Sequence, residues 1–156
     1  MKKQDYTVDI LVNATAREAF NGINDISTWW TENWEGSSQN LHDEFTTHFG
    51  ETHMTMKVVE MIRDQKIVWL VTDSYKHWVQ HNRTEWIGTK ISFEIAERDN
   101  KTEICFSHIG LIPGLECYDG CSNAWAGYIQ QSLFSLLNTG KGKPTLLEAK
   151  PMATKG

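Results

Sequence analysis

Few side chains in this 156-residue sequence have the types and spacing that chemistry needs. Cys117 and Cys121, in "ECYDGCSNAW", are four apart, so a helix would put them on one face. Cys105 and His108 are three apart in "TEICFSHIGL". Thiolates with an imidazole suggest zinc, and a thiol pair suggests redox sensing. Spacing weighs against zinc. The segment with Cys105 and His108 alternates like a strand, which turns the two to opposite faces, and two ligands from one helical turn are a weak set beside paired CxxC motifs. The cysteines are expected to be small buried hydrophobes, with no stoichiometric zinc, no structural disulfide and no cofactor. His108 shares a face with Ile104 and Phe106 and points inward, towards Trp125 and Tyr128. An inward histidine is either a hydrogen-bonded core residue or the group that orients a ligand carbonyl or hydroxyl. General-base work would need a partner at catalytic spacing, and none is visible, so no catalytic residue is assigned. His77 and His81, in the polar "KHWVQHN", read as solvated groups of a loop or lid.

The elements that must position these residues follow from periodicity. "YTVDILV" alternates, with Tyr6, Val8, Ile10 and Val12 on one face of a strand. Thr15 with Glu18 forms a capping box, so a helix starts near Ala16. "DISTWWTEN" reads as a second short helix, with Asp25 or Ser27 as its cap. Five strands follow in "DEFTTHF", "THMTMKVVEMI", "KIVWLVTD", "WIGTKISFEI" and "TEICFSHIGLI". In the fourth, Ile87, Ile91, Phe93 and Ile95 are expected to point one way, as in an antiparallel sheet with one covered face. From Leu115 to Asn138, apolar residues recur at three- and four-residue steps, a helix of about 35 Å. Gly140 is its stop. The expectation is an α+β fold in which a curved antiparallel sheet wraps a long C-terminal helix.

Composition excludes other classes. Fifteen basic and twenty acidic residues give a net charge of -5, which argues against a nucleic-acid partner. The start "MKKQDYTVDILV" has no long apolar run, so neither a signal peptide nor a membrane span is expected. Three cysteines without a disulfide framework fit a cytoplasmic protein. Residues 1–156 are expected to be one domain, with 147–156 a loosely ordered tail. Seven tryptophans in this length suggest a wide core or an aromatic-lined cavity. Trp29, Trp30 and Trp34 are candidates for a cavity mouth, or for packing of the short helices.

Three stretches carry a resemblance: "VNATAREAFNGI", then "EWIGTKISFEI" with "TEICFSHIGL", and last "ECYDGCSNAWAGYIQQSLFSLLNTGKGKP". Through them nearly the whole chain resembles the START-like helix-grip (SRPBCC) superfamily. Within it, the chain is similar to the C-terminal domain of the activator of the 90-kDa heat-shock chaperone's ATPase. The resemblance implies a β-α-α-β(6)-α order. It also implies one of the family's roles: binding lipids, hormones or polyketides, cyclising them, or assisting the chaperone. The chain is expected to lack the chaperone-binding N-terminal domain of the eukaryotic activator, which ranks a chaperone role second.

The leading expectation is therefore non-enzymatic binding of a small hydrophobic molecule between the C-terminal helix and the sheet. The expected lining is Trp69, Phe93, Phe106, His108, Trp125, Tyr128 and Ser132. The alternatives are a chaperone-accessory or stress-response interaction protein, and a cavity enzyme of the cyclase or dehydratase kind.

Overall fold

The computed structural model describes residues 5–81 and 83–146. The tail expected at 147–156 lies outside the described residues. Strand β1 (Tyr6–Val12) leads into helices α1 (Ala16–Asn24) and α2 (Ile26–Trp29). Six strands follow: β2 (Trp34–Gly36), β3 (Glu44–Phe49), β4 (Thr52–Ile62), β5 (Lys66–Tyr75), β6 (Lys90–Arg98) and β7 (Lys101–Ile109). The chain ends in one helical run. It consists of α3 (Tyr118–Gly127), a π-helical stretch (Tyr128–Leu133) and α4 (Phe134–Thr139). The order is β-α-α-β(6)-α, as expected.

The capping box forms as the sequence predicts. Glu18 N–H donates to Thr15 Oγ1, and Thr15 N–H to the Glu18 carboxylate. Asp25 occupies the cap position of α2, but its side chain makes no capping bond. The C-terminal run stops at Gly140, whose φ of 89° is left-handed and suits glycine.

The seven strands form one antiparallel sheet in the order β1-β7-β6-β5-β4-β3-β2. The first strand therefore pairs with the last, Tyr6 opposite His108 and Val12 opposite Thr102. Two register shifts between β4 and β5, at Thr55/Met56 and Val58/Glu60, are bulges of the kind that bend strands and increase twist. The covered face is read directly from alternation: Thr102, Ile104, Phe106 and His108 on β7 are buried, while Glu103, Cys105 and Ser107 turn outward. On β6, Ile91, Phe93 and Ile95 face in. Ile87 does not join them: it lies in a turn before β6 and is 47 % exposed. The turn, closed by Thr89 N–H donating to Trp86 O, breaks the alternation that sequence periodicity carries through it.

Rings fill the space inside the curve. Trp30 stacks on Trp29 and Trp69 at centroid distances of 5.8 and 5.9 Å. Trp69 meets Phe93 at 5.0 Å, Phe93 meets Phe106 at 5.2 Å, and Phe106 meets Trp125 at 4.6 Å. The helix contributes Cys121, Trp125, Ile129 and Leu133 to this core, four residues apart throughout. The wider π-helical stretch keeps Ile129 and Leu133 facing the sheet on that four-residue step.

Candidate functional site

The aromatic core ends at Trp30 and Trp125. Beyond them, between α3 and the end of the sheet, lies a cavity of about 160 Å³. Trp30, Phe49, Met54, Trp86, Trp125 and Tyr128 form most of its wall, with Thr52, Lys76, Cys121 and Ala124. Trp78 stands at the mouth, 54 % exposed. Its ring lies so close to α3 that a Cβ on Gly120 would come within 2.9 Å of it. The depression lined by Asn13, Thr15, Glu18, Glu97 and Lys101 is a polar surface groove.

The segment between β5 and β6 is pinned to the start of α3. The Glu85 carboxylate accepts from the backbone N–H groups of Glu116 and Cys117, at 3.0 and 3.2 Å. The Cys117 amide is the cap donor of α3, and the helix dipole favours a carboxylate there. Glu116 in turn pairs with His81 at 3.3 Å, and His77 pairs with Glu51 at 3.5 Å. Both imidazoles are more than half exposed. Val79 and Trp86, by contrast, are buried. The segment is thus a compact cover whose inner residues, Lys76 and Trp86, reach the cavity.

His108 is held between two partners. Nδ1 accepts from the Trp125 indole at 3.0 Å, and Nε2 lies 2.8 Å from Thr89 Oγ1. An indole can only donate, so Nδ1 is unprotonated and the proton is on Nε2. Thr89 passes its own proton to Trp86 O at 2.6 Å. Burial, with Lys76 adding to it, lowers the His108 pKa to about 3. It is a neutral strut that orients Trp125 and the Trp86 turn, two walls of the cavity.

Lys76, 2 % exposed, is the charged group of the site. Its Nζ donates to Ser74 Oγ at 3.1 Å and sits 3.6 Å over the Trp86 ring, a cation–π contact. Burial lowers its pKa to about 8, against the opposing fields of Cys121, Cys117 and Glu85. Beside it, a hydrogen bond from Cys121 to the Cys117 sulfur lowers the Cys117 pKa and raises that of Cys121. The Trp86 indole N–H faces the same sulfurs and favours the thiolate without forming a geometrically complete hydrogen bond. All three cysteines are free. Among the described residues, the one cluster of metal-ligating atoms is Asp9, Glu103 and Cys105, within 4.8 Å of one another on the outer face. Burial, then the Asp9 charge, pushes the Cys105 thiol up to about 11, away from the thiolate that zinc binds.

Of the residues expected to line a cavity, Trp125 and Tyr128 stand on its wall. Trp69, Phe93 and Phe106 are fully enclosed by other rings. His108 lies behind Trp125. Ser132 sits one helical turn beyond Tyr128, donating to Trp29 O and accepting from Lys143 N–H, both at 2.7 Å. Trp30 is an inner wall, Trp29 is core, and Trp34 packs on Phe45 away from the cavity. Sequence reasoning missed Phe49, Met54, Lys76 and Trp86. The segment "SYKHWVQHN" offered one signal, a lysine between aromatics, which a solvated loop shares.

No protein-family model and no curated protein matches the chain. Solved structures do. The Aha1 dimer structure from Colwellia psychrerythraea superposes with a TM-score of 0.73 at 21 % identity, over 89 % of this chain and 99 % of that one. Protein SSP2350 from Staphylococcus saprophyticus gives 0.68 at 13 % identity, over 92 % and 98 %. DynU16, of the dynemicin biosynthetic locus, gives 0.67 at 13 % identity, over 90 % of this chain and 49 % of that one. At these identities the likeness concerns architecture alone: the chain has a helix-grip fold like that of the Aha1 structure.

Proposed function

We propose that the protein binds a small, largely apolar molecule, about one aromatic ring in size, in the cavity bounded by Trp30, Phe49, Met54, Trp86 and Trp125. The observation that carries this reading is a cavity of about 160 Å³ walled by five buried or half-buried apolar side chains, at the end of an otherwise filled core. A cavity of roughly 150 Å³ accommodates one benzene-sized molecule. A ring burying on the order of 150 Å² would gain about 4 kcal/mol. Association costs of about 4 kcal/mol or more consume that gain, so the ring alone binds weakly and a polar anchor decides affinity.

The test is a tryptophan-fluorescence titration with 3-phenylpropan-1-ol, on wild type and on Ala124→Phe, which fills the mouth. Saturable binding in wild type and its loss in the folded variant is the expected result. Equal binding in both places the ligand elsewhere. An interaction role is the second reading. It is supported by the fold likeness to Aha1 and by Trp78 and Ile87, exposed apolar residues of the same covering segment.

A further inference from the structure

Lys76 follows the last residue of β5 and turns its ammonium into the molecule. An ammonium has three N–H donors. Ser74 Oγ takes one and the Trp86 ring faces the charge. Among the described residues, no carboxylate forms an ion pair with it. Glu85, whose field reaches it, has its two oxygens engaged by the Glu116 and Cys117 amides. A buried cation with no anion in contact is costly, and the fields of Glu85, Cys117 and Cys121 offset only part of that cost. Lys76 is at the same time part of the cavity wall, whose remaining surface is almost entirely aromatic or aliphatic.

We propose that the cavity selects a monocarboxylate: a small molecule whose aromatic or compact apolar part lies among Trp30, Phe49, Met54 and Trp125, and whose carboxylate pairs with Lys76. The proposal rests on the cavity being the ligand site. One negative charge matches the single cation of the wall. A phosphate dianion would call for a second cation, and Lys76 is the one cationic side chain among the lining residues. In a water-poor site the charge-assisted bond is stronger than a neutral one, and a cationic ligand would meet a like charge. The other titratable groups that face Lys76 are Cys117 and Cys121 from the start of α3, Glu85 from the covering segment and His108 from β7. None of them is a cation, because His108 is neutral.

The experiment is calorimetric titration with three probes of one shape: 3-phenylpropanoate, 3-phenylpropan-1-ol and 3-phenylpropylammonium. The carboxylate is expected to bind roughly ten- to a hundredfold tighter than the alcohol, and the ammonium weakest. In Lys76→Met, which keeps the length and removes the charge, the preference for the carboxylate disappears. Equal affinity for carboxylate and alcohol in wild type overturns the proposal and leaves the cavity reading standing, as does a preference that survives in folded Lys76→Met. Failure of all three probes overturns both. If Lys76→Met does not fold, a pH series on wild type decides. Lys76 loses its proton above about 8, so the preference should be constant below that pH and decline above it. A preference that stays level through that range refutes the pairing.

Discussion

Lys76→Met is also a test of how the interior tolerates charge. The ammonium loses its proton at about 8 in the fold, against 10.5 when exposed. The unfolded chain therefore holds the Lys76 proton more tightly, and folding at neutral pH forces a charge into a site that disfavours it. At about 1.4 kcal/mol per tenfold in proton affinity, the gap is a penalty of about 3 kcal/mol. The sign follows from linkage: where the unfolded state binds more protons, stability rises with pH. The penalty is complete below about 8 and fades between there and 10.5, so roughly 2.5 kcal/mol is relieved on going from neutral pH to about pH 10. Methionine carries no such penalty, and replacing a buried ion by an apolar residue of similar volume is often neutral or stabilising. Urea unfolding of wild type and variant, at pH 7 and pH 10, gives four stabilities. The variant should be the more stable at pH 7, by up to about 3 kcal/mol less what the Ser74 and Trp86 contacts contribute. That advantage should shrink by about 2.5 kcal/mol at pH 10. Cys117 and Cys121 interact with Lys76, so the cycle is repeated with both changed to serine. An advantage that is the same at both pH values refutes the account of Lys76 as a desolvated cation.

Two further outcomes bear on the frame around the cavity. Trp125→Phe keeps a ring against Phe106 but removes the donor to His108 Nδ1, leaving a buried acceptor unpaired; urea unfolding should show a loss of about 1–3 kcal/mol beyond any change in packing. Glu85→Ala frees the Glu116 and Cys117 amides at the start of α3, which should cost about 0.5–2 kcal/mol in the same assay. It should also speed amide hydrogen exchange in the covering segment more than in β6 and β7.

What the sequence made legible is whatever one element decides by itself. The alternation of Ile104, Phe106 and His108 needs only its own strand, and the Thr15–Glu18 box only its own turn. Both stand in the structure as read. Strand β2 escaped the residue-level reading because three residues, Trp34–Gly36, are too few to show a period. Ile87 fits the parity of β6 but lies across a turn held by Thr89 and Trp86, a bond between backbone groups that side-chain pattern does not encode. The π-helical stretch at Tyr128–Leu133 was equally invisible, since a step of four serves both helix types.

The cavity is of another kind, because its place is a remainder. Sheet curvature opens a volume along the whole helix. Trp69, Phe93 and Phe106 are inward on their strands, which is all a sequence pattern can say of them. Whether an inward ring borders space or another ring depends on what arrives from α2, and Trp29 and Trp30 arrive stacked, closing the middle. Among the described residues, the space that survives in this core lies past Trp30 and Trp125, where the wall is completed by a segment outside the strands and helices. That segment reads as polar because His77, His81 and Arg83 dominate its composition. The Glu85 bonds to α3 turn it over, so its exposed histidines face water while Lys76 and Trp86 face in. The one cation of the cavity wall thus comes from the stretch whose composition argued for solvent, and that stretch is tied to the start of α3 by a contact between residues more than thirty positions apart, Glu85 to Glu116.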